Sequence, residues 1–208
     1  MSGLWFTEDW LVDATAVLSA LEMQFDATGG KRLDSEVYSV SAHKARLGDG
    51  TELLGDYVIV AAGYDSKAFG GNVACLDLLL PIKGHLLDIA PQGPPGITRY
   101  EHGYVANYGA AAKYGATMQF GQEDLIVEPD VVVQLKSQAL DIFPNLMGLD
   151  QAVSRVGIRA ASPDGWPMIG RDQASGVLVA TAMRRNGYVF APLAARMMLA
   201  FLASENAT

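Results

Sequence analysis

Along the C-terminal quarter of the chain, apolar and polar positions alternate in blocks that predict a strand, a turn and a helix. Residues 176–181 (GVLVAT) are short, β-branched and bounded by turn residues, which is typical of a buried strand. Residues 183–187 are polar, and from Tyr188 onward apolar residues recur at helical spacing. Pro192 then falls in the first turn of the predicted helix, where proline is tolerated.

The first third of the chain predicts one helix followed by short strands. Asp13 is a favoured N-cap residue for a helix that ends near Ala27. Residues 32–40 alternate as a strand does, and Gly48-Asp49-Gly50 indicates a hairpin between two strands. Residues 57–62 (YVIVAA) form a continuous apolar run of the kind found in strands that are covered on both faces.

The middle of the chain predicts a mainly antiparallel sheet with one helix. Residues 99–106 and 116–122 have the character of two strands. Residues 130–141 place apolar side chains at helical spacing. We therefore expect a sheet over residues 79–160 that is backed by this helix.

Composition and charge exclude several classes of protein. Half of the 208 residues are hydrophobic and 18% are charged, which is typical of a globular chain with one large or two small domains. The net charge of −8 argues against nucleic acid as a partner, because phosphate binding needs a basic face. No apolar run reaches the ~18 residues that cross a bilayer, so no membrane span is predicted.

Export signals and metal-ligand patterns are also missing from the sequence. The first ten residues lack a basic segment followed by an apolar core. Cys75 is the single cysteine, which excludes an internal disulfide and predicts a cytoplasmic location. His43, His85 and His102 are too scattered to predict a zinc site, and no metal is expected.

Two arginines lie next to glycine-containing turns. Arg159 precedes residues 162–165 (SPDG), and Arg185 lies in the turn between the predicted strand and helix. A strand that turns tightly into a helix presents backbone N–H groups and a partial positive charge, which suit an anionic ligand. The alternative is that Arg159 and Arg185 are surface charges and that Asp164-Gly165 is only a tight turn.

Two motifs resemble the C-terminal signature of the D-amino-acid oxidase-like flavoproteins, in the branch of glycine oxidase and sarcosine oxidase. They are residues 157–170 (GIRAASPDGWPMIG) and 176–192 (GVLVATAMRRNGYVFAP). The second motif departs from the family at Ala182 and Met183, where the family often has Gly and His. Residues 58–66 (VIVAAGYDS) resemble the A-A-G-x-W-S segment of the family, and the alternative is an ordinary junction between a strand and a turn.

Residues 81–85 (PIKGH) and 103–107 (GYVAN) resemble the family less closely. His85 takes the position where the family usually has Gln, and a single histidine is more often structural than catalytic. The second stretch lacks the Pro-Arg pair that the family usually carries there. The resemblance therefore gives no basis for inferring substrate specificity from that strand.

The resemblance covers the middle and C-terminal portions of the family and implies an α+β fold. We expect partial FAD-domain elements in residues 1–75, a substrate domain in 76–160 and a C-terminal FAD-domain strand and helix in 161–208. The family's N-terminal Rossmann βαβ unit, with its G-x-G-x-x-G motif, has no counterpart in these residues. Residues 57–63 and 176–202 are expected to lie side by side.

The resemblance implies an FAD-dependent enzyme that oxidises the C–N bond of an amino acid or amine by hydride transfer to the flavin. Arg159 would bind the substrate carboxylate, Arg185 would act at the flavin, and Tyr104 would wall the substrate cavity. For Tyr104, plain core packing is the alternative. The residues implied in cofactor binding are Ala62, Gly63, Gly84, Asp164, Gly165, Arg185, Asn186, Gly187 and Tyr188.

The mode of FAD binding and the role of the chain leave two hypotheses. Gly157 stands where covalently flavinylated sarcosine oxidases carry their linking Cys, so FAD is expected to be non-covalent and scarce on the isolated chain. The first hypothesis is a catalytic chain that self-associates or needs a partner chain supplying the N-terminal FAD-binding half. The second is a non-catalytic or truncated relative that acts as an interaction or scaffold subunit.

Overall fold

The computed structural model describes residues 6–91, 95–101, 103–144, 146 and 148–205. The chain divides into two compact units, each built from three separate stretches. The first unit comprises Met1–Leu33, His85–Thr117 and Ile126–Val156, and the second comprises Asp34–Gly84, Met118–Leu125 and Gly157–Thr208. The predicted division into residues 1–75, 76–160 and 161–208 is a functional one and stays a prediction.

The described residues contain three α-helices and twelve β-strands. The helices are α1 (Ala14–Ala27), α2 (Pro129–Ile142) and α3 (Gly187–Glu205). The strands are β1 (Val37–Ser41), β2 (Lys44–Leu47), β3 (Glu52–Leu54), β4 (Ile59–Val60), β5 (Leu80–Ile89), β6 (Gly96–Tyr100), β7 (Gly103–Asn107), β8 (Ala112–Gly115), β9 (Gln119–Phe120), β10 (Val153–Ala161), β11 (Met168–Arg171) and β12 (Leu178–Thr181). No helix in these residues is apolar over a length that would cross a bilayer.

The strands form three sheets whose orders are β1-β2-β3, β10-β5-β8-β7-β6 and β11-β12-β4, and β9 also pairs with β5. The pairs β5–β8, β5–β9, β6–β7 and β7–β8 are antiparallel. The predicted α+β class with a mainly antiparallel central sheet is confirmed. The pairing of β4 with β12 is parallel, as in an α/β domain.

The first unit contains the C-terminal part of β5, strands β6–β8, and helices α1 and α2. Pro129 starts α2, where its missing N–H costs no helical hydrogen bond. The helix contributes buried Leu135 and Ala139 to a core. The other buried members of this core are Leu87, Ile89, Val105, Ala112, Tyr114, Leu146 and Leu149.

His85 is fully buried in this first unit and is held by two neighbouring residues. Its Nε2 accepts a hydrogen bond from the Glu128 N–H at 3.2 Å, and its own backbone N–H donates to Thr117 Oγ1 at 2.8 Å. An imidazole nitrogen that accepts from a backbone amide must be unprotonated. These contacts give His85 a structural role, as its isolated occurrence in the sequence favours.

Helix α1 begins as the sequence predicts and yet buries none of its side chains. The Asp13 carboxylate accepts hydrogen bonds from the N–H groups of Thr15 and Ala16, at 3.0 and 3.1 Å. This capping satisfies amides that have no partner within the helix. Every residue of the helix nevertheless remains at least partly exposed.

The second unit has a core of its own, in which β4 and β12 lie next to each other. Ile59 pairs with Leu178 and Val60 with Val179. The prediction that these two segments lie side by side is therefore confirmed. The buried members of this core are Val40, Val60, Val73, Leu76, Leu79, Ala160, Val177, Val179 and Ala182.

Several local predictions are wrong in extent. Residues 116–122 form a strand only at Gln119–Phe120, and residues 32–40 form one only from Val37 onward. Residues 99–106 contain the connection between β6 and β7 and not one strand, and residues 57–62 form a strand only at Ile59 and Val60. Ile59 is 45% exposed, so β4 is not covered on both faces. Pro192 is the sixth residue of α3, so it lies beyond the first turn.

A buried cation anchors residues 118–125 within the second unit. Lys83 on β5 is 1% exposed, and its Nζ lies 2.6 Å from Asp124 Oδ1. The Asp124 side chain is 43% exposed. Loss of the carboxylate would remove a charged partner from a desolvated ammonium group, which is more costly than loss of an exposed pair.

We predict that Asp124→Ala lowers the free energy of unfolding by about 2–3 kcal/mol. The control is Glu52→Ala, which removes the 2.9 Å pair with Lys44 where both side chains are about half exposed. That loss should be below about 1 kcal/mol. Chemical denaturation of both variants measures the difference, and equal losses would show that burial of Lys83 adds nothing to this pair.

Candidate functional site

Ten of the eleven residues predicted for the site belong to the second unit; Tyr104, on β7, belongs to the first. Arg159 lies near the end of β10 and is half-buried. Gly84 lies on β5, the neighbour of β10 in the sheet order, and is buried. A Cβ atom placed on Gly84 would lie 2.7 Å from Arg159 Cζ, so the two residues are in direct contact.

The turn after β12 is the second part of the site, and a backbone hydrogen bond joins it to β10. The Arg184 N–H donates to the Ala160 carbonyl oxygen at 2.9 Å. Ala182 and Arg184 adopt left-handed backbone conformations, with φ of 60° and 51°. This turn therefore lies beside the residue that follows Arg159, and it reaches that place through a strained backbone.

Helix α3 starts directly at this turn. The Asn186 carbonyl oxygen accepts from the N–H groups of Val189 and Phe190 at 3.0 and 2.9 Å, and the Asn186 N–H donates to the Met183 carbonyl oxygen. Gly187 and Tyr188 are the first two residues of the helix. Their amides lie at the positive end of the helix dipole, where electronegative ligand atoms are favoured.

A cavity of about 90 Å³ lies between this turn and the turn that follows β10. Its lining includes Gly165, Arg185 and Asn186, three residues that the sequence predicts for cofactor binding. The complete lining is Gly165, Pro167, Ala182, Met183, Arg184, Arg185, Asn186 and Phe190. Ligand sites for whole cofactors are ~300–1,000 Å³, so this cavity suits one edge of such a ligand.

Asp164 faces its own turn. Its Oδ1 accepts from the Trp166 N–H at 3.0 Å, and Ser162 Oγ donates to the Trp166 carbonyl oxygen at 2.6 Å. The Trp166 N–H, followed by the Ser162 hydroxyl, holds the pKa of the Asp164 carboxyl below its usual value. Gly165 has a φ of 79°, a conformation that favours glycine. The ionised Asp164 therefore stabilises the turn whose Gly165 lines the cavity.

Ala62 and Gly63 follow β4, and Gly63 contacts the end of β12. The Thr181 hydroxyl donates to the Gly63 carbonyl oxygen at 2.7 Å, and the Ala62 N–H donates to Ser66 Oγ at 3.2 Å. Sequence reasoning missed Thr181 and Ser66 as supporting residues. Both are hydroxyl side chains that are buried in the structure, and small polar residues bordering apolar runs are the signal that could have found them.

Tyr64 and Glu123 form a further contact next to this turn. The Tyr64 hydroxyl donates to Glu123 Oε2 at 2.6 Å. Burial, together with the hydrogen bond and charge of Glu123, raises the pKa of Tyr64 to about 12. Tyr64 is therefore neutral across the physiological range, and its interaction with Glu123 is a donated hydrogen bond. Tyr104 is half-buried in the other unit, and its role stays a prediction.

Comparison with known proteins identifies the family. The family profile described as DAO, FAD dependent oxidoreductase, matches residues 1–201. The chain belongs to this family of FAD-dependent oxidoreductases. The resemblance that the two C-terminal motifs carry is therefore confirmed.

The similar proteins act on amino acids or amines according to their names. D-amino acid dehydrogenase 2 of Pseudomonas aeruginosa is 29% identical over 183 residues, which are 82% of this chain and 44% of that protein. Glycine oxidase of Geobacillus kaustophilus has a similar structure, with a TM-score of 0.74, 24% identity and coverage of 89% of this chain and 53% of that one. The structure of iminodiacetate oxidase of Chelativorans sp. BNC1 is also similar, with a TM-score of 0.72 and 22% identity. The match covers 86% of this chain and 52% of that one. The chain thus spans about half the length of these relatives.

The left-handed turn gives a prediction about stability. Arg184 is exposed and has a φ of 51°, so its side chain contributes backbone strain and little packing. Arg184→Gly should raise the free energy of unfolding by about 0.5–1 kcal/mol. Arg184→Ala keeps a Cβ and should stay within about 0.5 kcal/mol of the parent. Thermal unfolding of both variants tests this, and equal stability would show that the turn is unstrained.

Proposed function

We propose that this chain forms the flavin-edge and substrate side of an FAD-dependent oxidoreductase that oxidises the C–N bond of an amino acid or amine. The observation that carries the proposal is the backbone tie between the Arg159 strand and the turn that begins α3. Bound non-covalently, FAD supplies the hydride acceptor, and the protein has to hold and orient the two reactants.

Arg159 is the residue we assign to the substrate carboxylate. Its guanidinium group is planar and offers paired N–H donors that match the two oxygens of a carboxylate. Its half-buried position strengthens such a pair, because charges interact more strongly away from bulk water. Binding of the carboxylate at Arg159 orients the amino acid and fixes the carbon that is to be oxidised.

The turn and the helix start are the part we assign to the flavin. The amides of Gly187 and Tyr188 and the exposed guanidinium of Arg185 favour negative charge on the edge of a reduced ring. Gly165 and Asn186 line the cavity beside them. The remaining assignments from the family resemblance are cofactor contacts at Ala62, Gly63, Gly84 and Asp164 and a substrate wall at Tyr104.

The partner we propose is the nucleotide-binding half of the family fold, supplied by the same or by another polypeptide. Helix α3 exposes Val189, Leu193 and Leu199, at 74%, 51% and 65%. Helix α1 exposes Leu21 and Met23, at 61% and 73%. Several exposed apolar residues on one helix are typical of a surface that another element covers. The same exposed apolar surfaces support the second candidate function, which is an interaction or scaffold subunit.

We also propose a cytoplasmic location, which the single cysteine, Cys75, supports.

The role of Arg159 is tested by Arg159→Lys in the complete enzyme. The kcat/KM for an amino acid should fall about ten- to a hundredfold, because one charge-assisted bidentate pair contributes roughly 1.5–3 kcal/mol. The kcat/KM for the amine that lacks the carboxylate should change little. Equal losses for the two substrates would show that Arg159 does not hold the carboxylate.

The need for a nucleotide-binding half is tested by the flavin content of the 208 residues on their own. We expect well under one FAD per chain and self-association, because these residues lack the glycine turn that holds the pyrophosphate. Absorbance of bound flavin and light scattering measure both properties. One FAD per strictly monomeric chain would overturn the proposal.

The surface that associates is tested by a matched pair of substitutions. Val189→Glu on α3 and Val133→Glu on α2 each place a charge at a valine that is 74% or 66% exposed. Only Val189→Glu should weaken self-association or binding of the nucleotide-binding half, measured by light scattering and by flavin uptake. If Val133→Glu has the same effect, then α3 is not the associating surface.

A further inference from the structure

Gly84 contacts Arg159 in a way that explains the absence of a side chain at this position of β5. A Cβ built on Gly84 would have Arg159 Nη1, Nη2 and Cζ as its three nearest neighbours. The distances to Nη2 and Cζ would be 2.5 and 2.7 Å, shorter than real Cβ contacts. The guanidinium group therefore occupies the volume that any side chain at position 84 would fill.

The backbone at Gly84 gives no other reason for glycine. Gly84 is absent from the glycines with positive φ among the described residues, so its conformation is open to alanine. Gly157 lies on the same strand as Arg159, two residues earlier, and a Cβ there would meet nothing within 4 Å. A glycine in this region does not by itself indicate a close approach, and the three atoms nearest to a Cβ at Gly84 all belong to Arg159.

An arginine side chain has several rotatable bonds and about 2 kcal/mol of rotamer entropy to lose when it is held in one orientation. The backbone at Gly84 has no side chain and leaves room for the guanidinium in one orientation. Packing against this backbone reduces the movement of the guanidinium. β5 is the sheet neighbour of β10, so the support lies on a rigid element and not on a loop.

We infer that Gly84 is a positioning residue that seats the Arg159 guanidinium and thereby sets the preference of the site for ligands with a carboxylate. The second half of this inference rests on the proposed function of Arg159. It differs from the cofactor contact that the family resemblance implies for Gly84. A methyl group at position 84 displaces the guanidinium, and a displacement of about 1 Å can change binding and rate about a hundredfold.

The test compares Gly84→Ala with Gly157→Ala in the full chain. The Arg159 Nε–Hε resonance, assigned by its loss in Arg159→Lys, reports the position of the guanidinium without any need for activity. Acetate titrated against this resonance reports carboxylate binding, and acetamide is the uncharged control. Gly84→Ala should shift the resonance and weaken acetate binding at least tenfold, whereas Gly157→Ala should do neither.

The outcomes separate this inference from the proposed function on which it rests. If the resonance shifts while acetate affinity is unchanged, Gly84 positions the Arg159 guanidinium, and Arg159 is not the group that binds the carboxylate. If a folded Gly84→Ala protein leaves the resonance unmoved, Gly84 does not position the guanidinium.

A double variant decides the matter if Gly84→Ala alone does not fold. Arg159→Ala removes all three atoms that are closest to the new methyl group. Gly84→Ala should then be tolerated in the Arg159→Ala background, with its cost removed by the second substitution. A double variant that still fails to fold would show that a different contact forbids a side chain at position 84.

Discussion

The hydrogen bond from the Arg184 N–H to the Ala160 carbonyl oxygen is the contact on which the candidate site depends. Arg159 directly precedes the acceptor residue and Arg185 directly follows the donor, so this bond restrains the two predicted cationic residues together. The chain reaches this bond only by leaving β12 through two left-handed residues, Ala182 and Arg184. Backbone strain of this kind persists where the surrounding structure holds it and is common at functional sites.

Features that depend on neighbouring residues in the sequence could be predicted well. The Asp13 cap, the Gly48–Gly50 hairpin and the apolar spacing of α2 each follow from residues within one or two turns of chain. The adjacency of β4 and β12 was predictable because the family resemblance fixes the order of both segments. The cluster of Gly165, Arg185 and Asn186 around one cavity follows from the same resemblance.

Individual side-chain contacts between residues that are far apart in the sequence could not be predicted. Thr181 and Gly63 are 118 residues apart, and Lys83 and Asp124 are 41 apart, so no local pattern links them. The β6–β7 hairpin was not predicted, because the residues near Glu101 are not a favoured turn pair such as Asn-Gly or Asp-Gly. Strand β4 pairs with β12 over only two residues, and apolar character alone does not reveal where such pairing ends.

The glycines of the site show why a motif match underdetermines mechanism. Gly63 and Gly165 have left-handed conformations, with φ of 60° and 79°. Gly84 does not have a left-handed conformation, and its lack of a side chain makes room for Arg159. A Cβ at Gly157 would meet nothing within 4 Å. Glycine thus allows a left-handed backbone at two of these positions, allows close packing at a third, and has neither role at the fourth. In this chain the property that links glycine to the proposed chemistry is the volume left free at Gly84, because that volume determines where the guanidinium can be.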